Sequence, residues 1–191
     1  MLAFSDGVFA IIITIMVLEL HAPAESDLSA LAPLLPKALS YVLSFLYVAF
    51  YWVAHHHLMA ATDRVNGRLL WANIVLLFFL SLLPFTTAWL GETRGAALPT
   101  FVYGLTLLAA ALCYTLLLSL VLASRGKSWL ALLGDWQTSA SLLLYLAGLI
   151  VTFLHPAVAQ AIFVFVALLW LIPNRHIERT LGSRRHPTSS D

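Results

Sequence analysis

Charged side chains are scarce in this chain. Asp, Glu, Lys and Arg make up only 10% of the 191 residues, whereas 61% of the residues are hydrophobic. Soluble domains average roughly 25% charged and about 45–50% apolar residues. A chain of this length exposes too much surface to bury such an excess in a core. The composition therefore excludes an ordinary soluble domain and predicts an integral membrane protein.

Cysteine pairs, an excess of basic charge and catalytic motifs are lacking as well. Cys113 is the single cysteine, so no intrachain disulfide is possible. A net charge of +1 argues against a nucleic-acid partner, because such partners meet concentrated basic surfaces. No serine–histidine–acid set, glycine-rich phosphate loop or metalloprotease helix is evident. We therefore predict that the protein is not an enzyme and needs no cofactor or resident metal.

Long hydrophobic runs, by contrast, are abundant. A helix needs about 17–25 mostly apolar residues to cross a bilayer. The runs are continuous rather than alternating, which favours helices over the strands of a barrel. The predicted spans are 4–20, 38–60, 69–90, 98–123, 138–154 and 156–172. The sequence thus predicts an all-α, polytopic protein with one six-helix transmembrane domain over 1–181 and a flexible cytoplasmic tail over 182–191.

The placement of lysine and arginine predicts the orientation of these spans. Basic residues accumulate in the cytoplasmic loops of membrane proteins. With the N-terminus inside, the outer loops hold only Lys37 and Arg94. The inner loops and tail hold Arg64, Arg68, Arg125, Lys127, Arg175, Arg179, Arg184 and Arg185. We therefore predict a multi-pass protein of the cell (inner) membrane with both termini in the cytoplasm.

The first span combines an apolar run with Asp6 and Glu19 near its ends and Thr14 in its middle. Polar groups inside a span are costly and mark functional positions. On a helical wheel at about 100° per residue, one stripe is about 120° wide. It collects Phe4, Gly7, Val8, Ile11, Thr14, Ile15 and Leu18. The stripe either lines a pore or packs against lipid and neighbouring helices, and the pattern alone leaves both open.

Ser5 and Asp6 fall outside this stripe. They either cap the start of the helix, as short polar residues do, or face neighbouring helices as anchors. Glu19 either reaches the lipid headgroups or concentrates cations at an outer mouth, since a carboxylate raises the local cation concentration. These alternatives stay open on the sequence.

Three successive histidines, His55, His56 and His57, end the second span. Neighbouring helical residues point about 100° apart, so the three side chains cannot converge on one metal ion. We predict instead that the cluster hydrogen-bonds to Asp6 or to lipid. Histidine makes such a contact sensitive to pH.

Three segments carry a family resemblance: 4–14 (FSDGVFAIIIT), 51–56 (YWVAHH) and 78–87 (FFLSLLPFTT). They resemble the prokaryotic members of the transmembrane protein 175 family of lysosomal-type potassium channels. The resemblance covers the first three spans. The family pattern also has an arginine four residues before the phenylalanine, a position that here precedes Met1.

What the resemblance implies is a homotetrameric, potassium-permeable cation channel in the lipid bilayer, with the first helix of each subunit around the axis. By position, Ile11 matches a hydrophobic constriction, and Ile15 and Leu18 match further apolar rings. Thr14 matches a threonine linked to selectivity. The carbonyl filter of ordinary potassium channels, Thr-Val-Gly-Tyr-Gly, is absent. Phe4, with the two polar residues that follow it, would brace the pore helix.

Other functions remain open. A small proton-coupled secondary transporter would use Asp6 or Glu19, although the repeats and interrupted helices typical of transporters are not evident. A membrane redox or metal-binding protein would use the histidines. A non-catalytic scaffold is a third alternative.

Overall fold

The computed structural model describes residues 1–23, 26–62, 65–126 and 136–171. Within these ranges all regular structure is helical. The helices are α1 (Leu2–Leu18), α2 (Leu35–Ala60), α3 (Gly67–Ser81), α4 (Leu83–Glu92), α5 (Ala97–Ser124), α6 (Trp136–Val151) and α7 (Pro156–Leu169). A 3-10 helix, Leu28–Leu34, leads into α2. The prediction of an all-α protein is confirmed.

Six apolar helical stretches lie at the six predicted spans. Three are long and apolar enough to cross a membrane: Leu28–Ala60, Gly67–Glu92 and Ala97–Ser124. The helices α1, α6 and α7 are apolar but shorter, with 17, 16 and 14 residues. Residue 172, where the last predicted span ends, and the predicted tail at 182–191 lie outside the described residues.

The third predicted span, 69–90, consists of two helices rather than one. Helix α3 ends at Ser81, and α4 begins at Leu83 with Pro84 in its first turn. Proline has no N–H for the bond to residue i−4, and its ring crowds that carbonyl. It is tolerated in the first turn of a helix, where no such bond is made. The helix therefore breaks at Leu82.

Helix α1 lies at the edge of the subunit. It packs mainly against α2 and α4, with further contacts to α3. Helix α5 is more central, because it contacts α3, α4, α6 and α7. The pair formed by α6 and α7 therefore packs on α5, and α1 is attached through α2, α3 and α4.

A buried chain of hydroxyl groups holds α2 within the bundle. Thr87 of α4 donates to the Ser44 hydroxyl at 2.7 Å, and the Ser44 and Tyr103 hydroxyls lie 3.0 Å apart. One turn further along α2, Tyr47 donates to the Phe163 carbonyl at 2.5 Å. Hydrocarbon offers no water to satisfy such groups, so they must meet each other. They fix α2 relative to α4, α5 and α7.

Two glycines let α7 approach α5 and α6 closely. Phe163 is fully buried, and a Cβ added at Gly148 would lie 2.6 Å from its Cε1 atom. A Cβ added at Gly104 would overlap its Cζ atom. Small residues at helix interfaces permit such close packing in membranes. The contact of the Phe163 ring with the backbones of Gly104 and Gly148 therefore determines how closely α7 packs against α5 and α6.

Candidate functional site

One face of α1 is buried in the subunit. Its buried residues are Ser5, Phe9, Ile12 and Met16. Their successive spacings of four, three and four residues place them on one side of the helix. The ring of Phe9 lies 5.5 Å from the ring of His55 on α2. This face attaches α1 to its own subunit.

The opposite face of α1 is left uncovered. The large apolar side chains of the stripe have exposed fractions of 64% (Phe4), 57% (Ile11), 43% (Ile15) and 73% (Leu18), and beside the stripe Val17 is 45% exposed. Gly7 and Thr14 are also exposed, and only Val8, at the edge of the stripe, is half-buried. The subunit therefore presents the stripe found on the helical wheel to whatever lies outside it.

Thr14 is the one hydroxyl on the uncovered face. Its Oγ1 atom donates a hydrogen bond to the carbonyl of Ile11 at 2.9 Å. This back-bond within the helix uses the hydroxyl proton and leaves the oxygen lone pairs free on an exposed side chain. Such an oxygen can accept a hydrogen bond or contact a cation.

Near its N-terminal end, α1 is joined to α2 and α3 by a buried polar cluster of Ser5, His55 and Asn73. Ser5 and His55 are fully buried, and Asn73 is 2% exposed. The Asn73 amide nitrogen donates to Ser5 Oγ at 3.1 Å, and His55 Nε2 lies 2.6 Å from Asn73 Oδ1. Because that oxygen can only accept, His55 Nε2 carries the proton. Three helices therefore meet at one amide.

A second polar contact lies at the same end of α1. The Trp52 indole N–H donates to Asp6 Oδ1 at 2.9 Å. Hydrogen bonds to a carboxylate are roughly twice as strong as bonds between neutral groups. The Trp52 ring also lies 5.7 Å from the ring of His56. Asp6 thus ties α1 to α2 beside the buried cluster.

The capping interpretation of this end is wrong. Helix α1 begins at Leu2, with Met1 as its N-cap residue, so Ser5 and Asp6 lie inside the helix and do not cap it. Of the two alternatives for the histidine cluster, the bond to Asp6 is not made: Trp52 donates to Asp6 Oδ1, and His55 bonds to Asn73. The contact with lipid stays a prediction. The local capping preference is overridden by partners on other helices.

The three histidines point into different surroundings. His55 is buried, His56 is half-buried and His57 is exposed, as their angular spacing on a helix requires. In the described part of the chain, no three His, Cys, Asp or Glu side chains come together around a point where a metal ion could bind. The Nδ1 atoms of His55 and His56 are buried without a hydrogen-bond partner among the described residues.

The sequence reasoning missed Asn73 and the bond from Trp52 to Asp6. Asn73 is an amide inside the apolar run 69–90, and such a residue is as costly there as the polar residues that singled out the first span. Trp52 lies towards the end of the second span, and an indole N–H at a contact between helices usually finds an acceptor. Both signals were present in the sequence.

At the other end of α1, Glu19 is exposed beside an ion pair. Lys37 Nζ lies 3.1 Å from Glu92 Oε1, and all three side chains line one shallow depression. Lys37 and Glu92 neutralise each other, whereas Glu19 has no ion-pair partner among the described residues. Glu19 therefore gives this depression its net negative charge.

The buried cluster predicts a cooperative loss of stability. Asn73→Ala should lower the free energy of unfolding by about 1–3 kcal/mol, because it leaves buried polar atoms of Ser5 and His55 unpaired. Ser5→Ala should cost less in that background than in the wild type, since the serine has already lost its partner. Equilibrium denaturation in detergent measures both effects.

Ser119→Ala is the matched control for these variants. The Ser119 hydroxyl bonds within α5 to the Leu116 carbonyl, so its removal should change the free energy of unfolding by less than about 0.5 kcal/mol. If Ser5→Ala costs the same with and without Asn73, the two residues do not form one cluster.

The chain is similar to known channel proteins over most of its length. The family profile "Endosomal/lysosomal potassium channel TMEM175" matches residues 1–84, which hold α1, α2 and α3. A potassium channel of Chryseobacterium sp. (strain P1-3) is 43% identical over 182 residues, which cover 94% of this chain and 95% of that protein. An endosomal/lysosomal proton channel TMEM175 of Danio rerio is 29% identical over 140 residues, 71% of this chain and 26% of that protein.

The likeness extends to three dimensions. The crystal structure of a lysosomal potassium-selective channel TMEM175 homolog from Chamaesiphon minutus matches with a TM-score of 0.80 at 28% identity. The match covers 92% of this chain and 95% of that one. It therefore includes the last three spans, for which the sequence resemblance offered only their number and length. The chain belongs to the TMEM175 potassium channel family, and it is a multi-pass membrane protein.

Proposed function

We propose that the protein is a potassium-permeable cation channel whose pore is lined by α1 from four identical subunits. One observation carries the proposal: the uncovered stripe of α1 stands opposite a face that is fixed to the subunit by buried polar contacts. The names of the relatives from Chryseobacterium and Chamaesiphon minutus, both potassium channels, support the permeant ion.

Four copies of Ile11 would form the narrowest part of the pore. With neighbouring helix axes about 8–10 Å apart, the centre of a four-helix ring lies about 6–7 Å from each axis, only slightly beyond the roughly 5–6 Å radius of a helix with its side chains. Branched apolar side chains at this level therefore close the passage to hydrated ions. Such a hydrophobic constriction gates by excluding water. Ile15 and Leu18 continue the apolar wall.

Thr14 would supply the polar contact inside this wall. It lies three residues beyond Ile11, about 4.5 Å along the axis. Because its proton is bonded to the Ile11 carbonyl, four Thr14 oxygens can replace part of the hydration shell of a potassium ion. Glu19, about 7.5 Å further along, would concentrate cations at the mouth. Phe4, Ser5 and Asp6 would brace the opposite end of the helix.

The constriction predicts a gain of conductance in Ile11→Asn. A polar side chain lets water enter the ring, and each 1.4 kcal/mol taken off the barrier raises the flux about tenfold. We expect potassium flux through reconstituted vesicles to rise by at least that factor. Leu112→Asn is the matched control, because Leu112 is similarly exposed (52%) but lies on α5. No potassium flux through the wild type, or an unchanged flux in Ile11→Asn, would contradict the gate.

The threonine ring predicts a change of selectivity in Thr14→Val. Valine keeps the shape and removes the oxygen, so the potassium-to-sodium permeability ratio should fall while the ions still pass. Bi-ionic potentials across planar bilayers measure this ratio. Thr115→Val is the control, since the Thr115 hydroxyl makes the same back-bond at 2.8 Å on α5. A ratio unchanged by Thr14→Val would remove Thr14 from the selectivity mechanism.

The fourfold arrangement predicts crosslinking at Leu18. In a Cys113→Ser background, which has no other thiol, Leu18→Cys should form a disulfide-linked pair of chains on mild oxidation. The control Ile150→Cys is equally exposed (75%) but lies on α6, and it should remain uncrosslinked. Native mass spectrometry should find four chains. A monomer, or crosslinking at residue 150 alone, would contradict convergence of α1.

Proton permeation is a second candidate, because the Danio rerio relative is named a proton channel. A pH-sensitive dye inside the same vesicles distinguishes the two. Acidification that continues when potassium is replaced by an impermeant cation indicates proton permeation, and saturable flux driven by a proton gradient indicates the transporter alternative. An optical spectrum and a metal analysis of purified protein test the redox alternative.

A further inference from the structure

A groove lies between α3 and α5 on the surface of the subunit. Its volume is about 510 Å³. We define the α3–α5 groove by Arg68, Trp71, Ala72 and Val75 of α3 and by Cys113 and Leu116 of α5. None of these residues takes part in the proposed pore or in its anchors.

The shape of the groove follows from the sizes of its side chains. Ala72 is 7% exposed and Cys113 is half-buried, so these small residues form the floor. Trp71, Val75 and Leu116 are 69%, 42% and 53% exposed and rise on either side. Arg68 is the one charged residue of the lining. The interior of the groove can therefore contact only apolar matter.

The groove runs from one end of the bundle into the hydrocarbon. Arg68 lies in the first turn of α3, and Val75 is seven residues, about 10 Å, further along the axis. Between them stands Trp71, whose exposed indole has the amphipathic character favoured at the membrane interface. The charged end thus lies at headgroup level, and the apolar part lies at the level of acyl chains.

Arg68 is available to a ligand at this end. It is exposed, and it has no hydrogen bond or ion pair with any described residue. Arg125, at the same end of the bundle, instead donates to the Ala61 carbonyl. A guanidinium binds phosphate oxygens in a bidentate manner, and its aliphatic stem can lie along an apolar surface.

We propose that the α3–α5 groove binds an anionic phospholipid, with one acyl chain over Ala72 and Cys113 and the phosphate paired with Arg68. The positive charge of Arg68 at one end of the groove matches a phosphate, and the apolar part at the level of the acyl chains matches a lipid tail. The predicted orientation places the site in the cytoplasmic leaflet. The site does not depend on ion permeation, so it can be tested whether or not the protein conducts.

The test uses quenching of Trp71 fluorescence by phospholipids with brominated acyl chains. The full chain is reconstituted with increasing fractions of brominated phosphatidylglycerol or brominated phosphatidylcholine, and the signal of Trp71→Phe is subtracted. We expect phosphatidylglycerol to be preferred about fivefold, which is the effect of one arginine on anionic lipid binding. Arg68→Gln should abolish this preference. Arg94→Gln, which removes an exposed arginine from the other end of the bundle, should preserve it.

Filling the groove separates binding in the groove from contact with the surrounding lipid. Cys113→Phe should reduce quenching by both lipids, because the ring occupies the path of the acyl chain. Ala72→Val serves the same purpose if the larger substitution prevents folding. Equal quenching by the two lipids in the wild type would overturn the proposal, as would a preference that survives Arg68→Gln.

Discussion

The buried contact between Ser5, Asn73 and His55 is the constraint on which the rest of the site depends. A polar group without a partner costs several kcal/mol in hydrocarbon, since no water is available to satisfy it. Ser5 on α1 and His55 on α2 must therefore both reach the Asn73 amide. This requirement leaves one rotation of α1 about its own axis. Apolar packing alone would not choose it, because nearly every side chain of the helix is apolar.

That rotation determines which residues α1 presents outward. Ser5 and Ile11 are six residues apart, which separates them by about 120° on the helical wheel. Directing Ser5 into the subunit therefore directs Ile11, and with it Leu18, away from it. The anchor and the candidate constriction are thus two consequences of one geometric condition. A helix turned by one residue would offer Ser5, Ile12 and Met16 to the outside and would leave the Asn73 amide nitrogen without its acceptor on α1.

The length of the apolar runs was enough to predict six apolar helical stretches, and helical periodicity was enough to predict the stripe of α1, because both depend on residues near one another in sequence. It was not enough to predict partners, since Asn73 and Trp52 lie far from Ser5 and Asp6 in sequence. The capping interpretation failed for the same reason: it applied a local rule to residues that bond to other helices. The break before Pro84 lies between these cases. The proline indicates the break locally, but the hydropathy stays high across both helices and therefore predicts one continuous span.

The two halves of α1 are attached by different physics. Its N-terminal half is held by directional bonds, from Asn73 to Ser5 and from Trp52 to Asp6. Its C-terminal half is attached through the buried apolar side chains of Ile12 and Met16, whose contacts are not directional. Rotation of the helix is therefore opposed most strongly at its N-terminal end, where the bonds are directional. Because Ile11 follows the fixed part and Leu18 ends the free part, tilting moves Leu18 further than Ile11. In the proposed pore, Ile11 would therefore keep a nearly constant position, and the apolar residues beyond it would move furthest.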